Sequence, residues 1–394
     1  MEACRGGGFG MMRSVLRRVP PQALLLAIVG LAVALRVGVV AASGGGLRTT
    51  DSGYFFGYAE DILSGAPTAD RSNGYPLLIA LLSLALPGAW VSMALVTLNV
   101  VASGAVVALV GWIGRRVGGW DVGLLAALGT AVYPNQLNYV RYLLTEAPAT
   151  FLLVAAVWLL LRRRAPISSA VVAGGCLGLG VLLRSSLLGV GVFLLVVLVA
   201  YRRPWREVAG LAVGGGLILA LNLALIASGT IAPTRHTGPN MLMAIQSSST
   251  EGIVFSIEAF SEEEQARPLA TYLRFAAERP ATFVRQRASA LWELWGPWPE
   301  PGDPDDPRTV PVRLLIGLRF VLIVLAAAGL AQHVRDERAW LLAAPILAIT
   351  AIHVVFFAVP RFTYVVEPLA AVLAAWFVAD LAARHRRAGS RGVR

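Results

Sequence analysis

Lysine is missing from this 394-residue chain, and all 34 of its basic residues are arginine. Cysteine is nearly missing as well. Cys4, near a basic N-terminus, and Cys176, inside an apolar run, cannot build a disulfide framework or a zinc site, which excludes redox chemistry. Charge is scarce, with 14% of residues charged and 57% apolar. Soluble domains run near 25% and roughly 45–50%, so a soluble enzyme is excluded. Phosphate-loop and dinucleotide signatures are lacking too. Gly6 to Gly10 is glycine-rich, but it follows no strand and opens no helix, and it reads as a tail. No internal repeat of about 20–50 residues is visible. The lack of lysine beside abundant Arg, Ala, Gly and Val fits a high-GC bacterial genome.

What the chain does have is long apolar runs, and a run of about 20 such residues crosses a bilayer. These runs predict about ten spans, at roughly 22–42, 88–113, 121–139, 140–161, 168–184, 185–201, 207–228, 312–331, 339–358 and 362–382. Between them lie arginine clusters: Arg13, Arg17 and Arg18; Arg115 and Arg116; Arg162 to Arg164; Arg202, Arg203 and Arg206; Arg335 and Arg338; Arg384, Arg386 and Arg387. Ten spans put every cluster on one side, as the positive-inside rule requires, so the net charge of +11 reports topology rather than nucleic-acid binding. Parity demands that the apolar stretch 168–201 be split near Arg184, Ser185 and Ser186, because a single helix would place the Arg162 and Arg202 clusters on opposite faces. A cleaved signal sequence ending near Ala42 is the alternative for the first run, but the run is long for that and carries Arg36.

The expected architecture is an all-α polytopic membrane protein with external juxtamembrane helices and a small helical external loop domain. Its parts are a cytoplasmic basic tail (1–21), a transmembrane module (22–228) with an external loop (43–75), a partly helical external loop domain (229–311), C-terminal spans (312–382) and a second basic cytoplasmic tail (383–394). In the external domain, Ser261 with Glu264 reads as a capping box, and Pro280 as the first residue of a helix. Trp292, Trp295 and Trp298 read as an interfacial aromatic belt ahead of the turn-rich stretch from Pro297 to Pro307.

Ionisable groups inside a bilayer are costly and mark function. Seven occur here: Arg36, Glu146, Arg184, Arg319, His353, Arg361 and Glu367. On ten spans all fall in the outer half, which predicts one polar cavity at the external face. Glu146, counted from Val140, would lie about 9 Å below the outer end of its span at 1.5 Å per residue, with His353 and Glu367 at similar depth. Taken singly, each could be a snorkelling side chain or an internal pair that fixes packing. The external loop adds Asp51, Ser52, Tyr54, Tyr58, Glu60, Asp61, Asp70 and Arg71. Carboxylates facing arginines suit a phosphate-linked substrate: guanidinium forks bind phosphate and steady it as it leaves, while a carboxylate takes a proton from a hydroxyl.

Several short motifs resemble one family. Asp51-Ser52-Gly53-Tyr54, with Ala59, Leu63 and Gly65, and then Gly74-Tyr75-Pro76-Leu77, resembles the first external loop of GT-C-type membrane glycosyltransferases. The branch is that of protein O-mannosyltransferases and the lipid A aminoarabinose transferase. Tyr133-Pro134 followed by Thr145-Glu146-Ala147-Pro148 is similar to its second acidic site. Leu182-Leu183-Arg184-Ser185, after Gly174, Gly178 and Gly180, resembles its glycine-rich helix ending in a basic residue. Pro360-Arg361-Phe362 with Tyr364 and Pro368 is similar to its Arg-aromatic-Pro segment, and Glu278-Arg279-Pro280 with Trp292 and Trp295 to its late external loop. Two departures stand out: Ser52 takes the place of a second carboxylate, and Asn222 stands alone where relatives carry Pro-Trp and Arg-Asn.

The resemblance implies a GT-C-like bundle and inverting transfer of a sugar from a polyprenyl-phosphate donor to a hydroxyl of a glycan, lipid or protein. It implies Asp51 as general base and Glu146 as an orienting acid. Arg184 and Arg361 would hold the lipid phosphate, with Tyr54 or Tyr364 adding a hydrogen bond. Arg71, Arg141, His353 and Glu367 complete the expected substrate contacts. A divalent cation, Mg or Mn, is left open, with Ser52 counting against a bridging role for the loop. The competing reading is a transporter or flippase of lipid-linked saccharides, which would place ionisable groups nearer the midplane. A lipid-linked oligosaccharide polymerase or ligase is closer in chemistry. A membrane scaffold leaves the clustered charges unexplained.

Overall fold

The structure is a computed structural model that describes residues 19–67, 72–162, 166–233, 237–246, 260–296 and 309–391. Among these it is all-helical, apart from one isolated bridge between Leu47 and Tyr142. The helices are α1 (Pro21–Ala42), α2 (Thr50–Ser64), α3 (Gly74–Ala85), α4 (Gly88–Gly118), α5 (Trp120–Val132), α6 (Pro134–Asn138) and α7 (Glu146–Leu160). They continue with α8 (Pro166–Leu183), α9 (Leu187–Ala200), α10 (Trp205–Ala227), α11 (Thr237–Gln246), α12 (Glu262–Ala266) and α13 (Pro268–Glu278). The last are α14 (Pro280–Trp295), α15 (Thr309–Gln332), α16 (Glu337–Val355) and α17 (Glu367–Arg391). Short 3₁₀ turns occupy Tyr139–Arg141 and Pro360–Val365.

Five of these helices, α1, α4, α8, α10 and α16, are long and apolar enough to cross a membrane; α5, α7, α9 and the Gly317–Gln332 part of α15 are apolar but shorter. With α17, ten helices stand where the ten runs lie. The break near Arg184 is real: α8 ends at Leu183, Arg184 N–H still donates to Gly180 O, and α9 starts at Leu187. The apolar stretch 74–85, left unassigned by the spans, is the separate helix α3, a further apolar helix of 12 residues. The glycines of α8 serve packing against α10. A Cβ at Gly174 would fall 2.1 Å from Leu211 O, and one at Gly214 would fall 1.9 Å from Val171 O.

Contacts tie four of the arginine clusters to one end of the bundle. Arg338 donates to Arg116 O at 3.1 Å, Arg116 and Arg162 both lie over the Trp158 ring, and Arg203 pairs with Glu337 (2.5 Å) and Glu207 (2.9 Å). At this end the Arg338 hydrogen bonds outweigh the cost of burial and hold the Asp336 carboxyl below its usual range. At the other end, α11–α14 form a helical unit bolted to the C-terminal end of α16. Arg287 donates to the carbonyls of Val354, Val355 and Ala244, Tyr272 donates to Val355 O, and Gln286 donates to Ile245 O. Helix carbonyls without a following turn need such partners. The Ser261–Glu264 capping box and Pro280 at the first position of α14 are present. The tryptophan belt needs correction: Trp292 is exposed, but Trp295 is buried and donates to Thr350 Oγ1 at 2.9 Å, because its ring packs on α16. Trp298 and the Pro297 to Pro307 stretch lie outside the described residues.

Candidate active site

The site begins with two backbone hydrogen bonds and one side-chain bond to a carbonyl. Leu47 N–H donates to Arg141 O (2.7 Å), Leu143 N–H donates to Leu47 O (3.1 Å), and Asn99 of α4 donates to Tyr142 O (2.8 Å). They hold the chain entering α2 against the chain entering α7, so that Asp51, in the first turn of one helix, and Glu146, the first residue of the other, face the same space. Thr49 caps α2, and Ser52 closes the reciprocal box, accepting from Thr49 N–H at 2.6 Å. Ser52 therefore performs at the third helical position the capping that a carboxylate would otherwise perform there. Tyr58 secures the same helix. Its hydroxyl accepts from Ala232 N–H at 2.9 Å, and burial pushes the phenol up so that it stays protonated.

Asp51, Glu146, Arg184, His353 and Arg361 line one cavity of about 320 Å³, with Phe55, Ser186, Asn240, Met243, Phe357 and Phe362. Arg361 pairs with Asp51 and lies 4.0 Å from Glu146; Arg184 pairs with Glu146 at 3.3 Å. Burial works against the charge on Arg361, and Glu146 and Asp51 more than offset it, so this guanidinium stays charged. Both guanidiniums lie over the Phe362 ring, Arg184 at 4.8 Å and Arg361 at 5.6 Å. His353 stacks on the same ring, with centroids 4.1 Å apart. Its Nδ1 lies 2.9 Å from Phe357 O, which can only accept, so Nδ1 donates there; in the neutral tautomer this leaves Nε2 with a lone pair facing the cavity. That Nε2, together with Glu146 Oε2 and Ser186 Oγ, is buried without a hydrogen-bond partner among the described residues. Two of these atoms are pure acceptors awaiting donors, which hydroxyl groups supply.

The seven ionisable groups do not share one cavity. Arg36 is fully buried as a staple, donating to Ser103 Oγ (2.6 Å), Ala32 O (2.9 Å) and Ala131 O (3.1 Å). Glu367 sits beyond the Pro360–Val365 turn, accepting from Asn135 (2.7 Å), Gln136 (3.1 Å) and Thr363 (3.1 Å). It heads a separate, mostly apolar cavity of about 230 Å³ between α5, α15 and α17. Arg319 is buried and donates to Glu293 O. Glu146 and Glu367 are first residues of their helices rather than groups within a span, because 3₁₀ turns precede both.

Of the remaining expected contacts, Tyr364 is buried with its ring 5.3 Å from that of Tyr139, Arg141 folds onto the hydroxyl of Tyr142 (3.0 Å), and Tyr54 is exposed on α2. None of the three lines the cavity. Arg71 and Asp70 lie outside the described residues. The sequence reading assigned no role to Ser186, Asn240, Met243, Phe357 or Phe362. Phe362 carried a signal, since it adjoins Arg361 in the Pro360-Arg361-Phe362 motif. Asn240 and Met243 carried none, because nothing in a long loop shows that its first helix folds back over the cavity.

A divalent cation does not fit this donor set. Among the described residues no three His, Cys, Asp or Glu side chains gather around one point, and the two carboxylates of the cavity share Arg361. The protein is thus a polytopic helical membrane protein whose cavity couples acids to guanidiniums. No protein-family model matches the sequence, and neither does any curated protein. Solved structures do match. The oligosaccharyltransferase of Archaeoglobus fulgidus in its apo form is similar over 96% of this chain and 52% of its own, with a TM-score of 0.59 and 15% identity. Archaeal oligosaccharyltransferase AglB from the same organism, in complex with an inhibitory peptide and a dolichol-phosphate, is similar over 93% of this chain and 52% of its own, at TM-score 0.51 and 15% identity. The chain spans about half the length of these structures and shares their fold over that half.

Proposed function

We propose that this protein is a membrane glycosyltransferase that moves a sugar from a polyprenyl-phosphate donor to an acceptor hydroxyl at the external face, with both termini cytoplasmic. The reading rests on one observation: in a fold shared with an oligosaccharyltransferase solved in complex with a dolichol-phosphate, two carboxylates and two guanidiniums line one cavity. Asp51 takes the acceptor proton while the acceptor oxygen bonds to the anomeric carbon with inversion. The bond from that carbon to the phosphate oxygen breaks, and its electron pair leaves on the lipid phosphate. Arg184 faces that developing charge, and its Nε is buried without a partner among the described residues. A phosphate leaving group needs no proton from the protein. The bare acceptor atoms Glu146 Oε2 and His353 Nε2 fit sugar hydroxyls and repel phosphate, which divides the cavity into a sugar wall and an anion wall.

The test is a transfer assay in detergent with radiolabelled polyprenyl-phosphate sugars, following release of the free lipid phosphate. Release lost in Asp51→Asn supports the reading. Folded protein that those lipids stabilise thermally, without release from any of them, supports a flippase instead.

A further inference from the structure

The contact of Arg361 with both acids is stronger evidence than its presence in the cavity alone. Asp51 belongs to the first turn of α2 and Glu146 to the first turn of α7, so two helix N-termini and two carboxylates converge on one place. Arg361 comes from a third element, the Pro360–Val365 turn, which Thr363 ties to the start of α17. Its guanidinium meets Asp51 directly and Glu146 at 4.0 Å, while Glu146 uses its Oε1 toward both arginines and leaves Oε2 buried and unpartnered. A buried carboxylate close to a second, partly buried one needs positive charge beside it. A planar fork with several donors supplies that charge as a fixed part of the chain.

We propose that Arg361 is the built-in cation of the Asp51–Glu146 pair, taking the position between the two carboxylates that a divalent ion would otherwise hold. The inference concerns the site on which the transferase reading rests, and it makes Arg361 a positioning residue. It sets the spacing and charge of the two acids and leaves the leaving phosphate to Arg184. The cation of this site is then present in every folded molecule and independent of the metal supply.

The test reads ion binding rather than transfer, so it stands apart from the outcome of the donor assay. Mn²⁺ is titrated into the full-length protein in detergent and followed by electron paramagnetic resonance, with thermal unfolding as the check on folding. The wild type is expected to show no Mn²⁺ site that Asp51→Asn removes. Arg361→Gln is expected to gain one, with affinity raised about tenfold or more, as follows when a unit positive charge about 4 Å away is deleted. Adding Asp51→Asn to Arg361→Gln abolishes the gained site, and Arg361→Lys, which keeps a charge, gains none. A wild-type Mn²⁺ site lost in Asp51→Asn overturns the proposal without recourse to any Arg361 variant. A folded Arg361→Gln protein that binds no more Mn²⁺ than wild type overturns it as well.

Discussion

Arg184 Nη1 lies 3.3 Å from Glu146 Oε1, and both side chains are nearly buried, so the break between α8 and α9 is pinned to the first residue of α7. Removing one partner of such a pair leaves an uncompensated buried charge and costs about 3–5 kcal/mol. Glu146→Ala is therefore expected to lower the unfolding temperature sharply, since it leaves Arg184 and Arg361 facing each other without an acid between them. Arg184→Ala combined with Glu146→Ala should cost less than the sum of the two single changes. A thermal double-mutant cycle in detergent measures the difference, and strict additivity would show that the pair contributes nothing.

The proposed recognition of sugar hydroxyls by His353 predicts a split between two substitutions. Gln at this position keeps an acceptor and should keep most of the donor affinity. Leu keeps only the volume and should weaken donor binding about tenfold, near 1.4 kcal/mol, for one lost hydrogen bond. The readout is KM against kcat with the donor found in the transfer assay. Equal behaviour of Gln and Leu would show that the ring acts only through its stacking on Phe362.

The membrane architecture was legible because it follows from one-dimensional rules. Apolar run length gave the helices, and the parity of the arginine clusters gave the break at Arg184 that the structure has. The ionisable side chains were legible as costly residues, but not as separate groups. Arg36, Glu367 and Arg184 look alike in sequence, each a charge in an apolar run. Only the 3₁₀ turn Pro360–Val365 separates Glu367 from Arg361, and only the carbonyl of Ala131 and the hydroxyl of Ser103 reveal Arg36 as a staple. Such partners lie 67 and 95 positions away along the chain, beyond the reach of any local pattern. Asn240 and Met243 escaped for a related reason, since the fold-back of α11 over the cavity is set by Arg287 and Gln286, far along the chain.

Close approach of α8 and α10 predicts intolerance to even one added methyl group. The nearest atoms to a Cβ at Gly174 and at Gly214 are backbone carbonyl oxygens, which cannot swing aside as a side chain can. Gly174→Ala is expected to destabilise by about 1–3 kcal/mol. Gly175→Ala, whose Cβ meets nothing within 4 Å, should be neutral or slightly stabilising. Comparing the two melting curves isolates packing from helix propensity, because the glycines are adjacent in one helix.

Arg36 separates structure from chemistry most cleanly. Its guanidinium satisfies carbonyls of Thr130 and Ala131, which lie in the last turn of α5 and have no partner of their own further along that helix. Arg36→Met preserves the length and apolar stem of the side chain but leaves those acceptors bare in a low-dielectric interior. The expected loss is about 1–3 kcal/mol of stability, seen as a lower unfolding temperature. Donor affinity and the Mn²⁺ response of the Asp51–Glu146 pair should both match wild type at temperatures where the variant is folded. A variant of unchanged stability but reduced donor binding would instead move Arg36 into the substrate path and reunite it with the cavity that the sequence pattern alone had suggested.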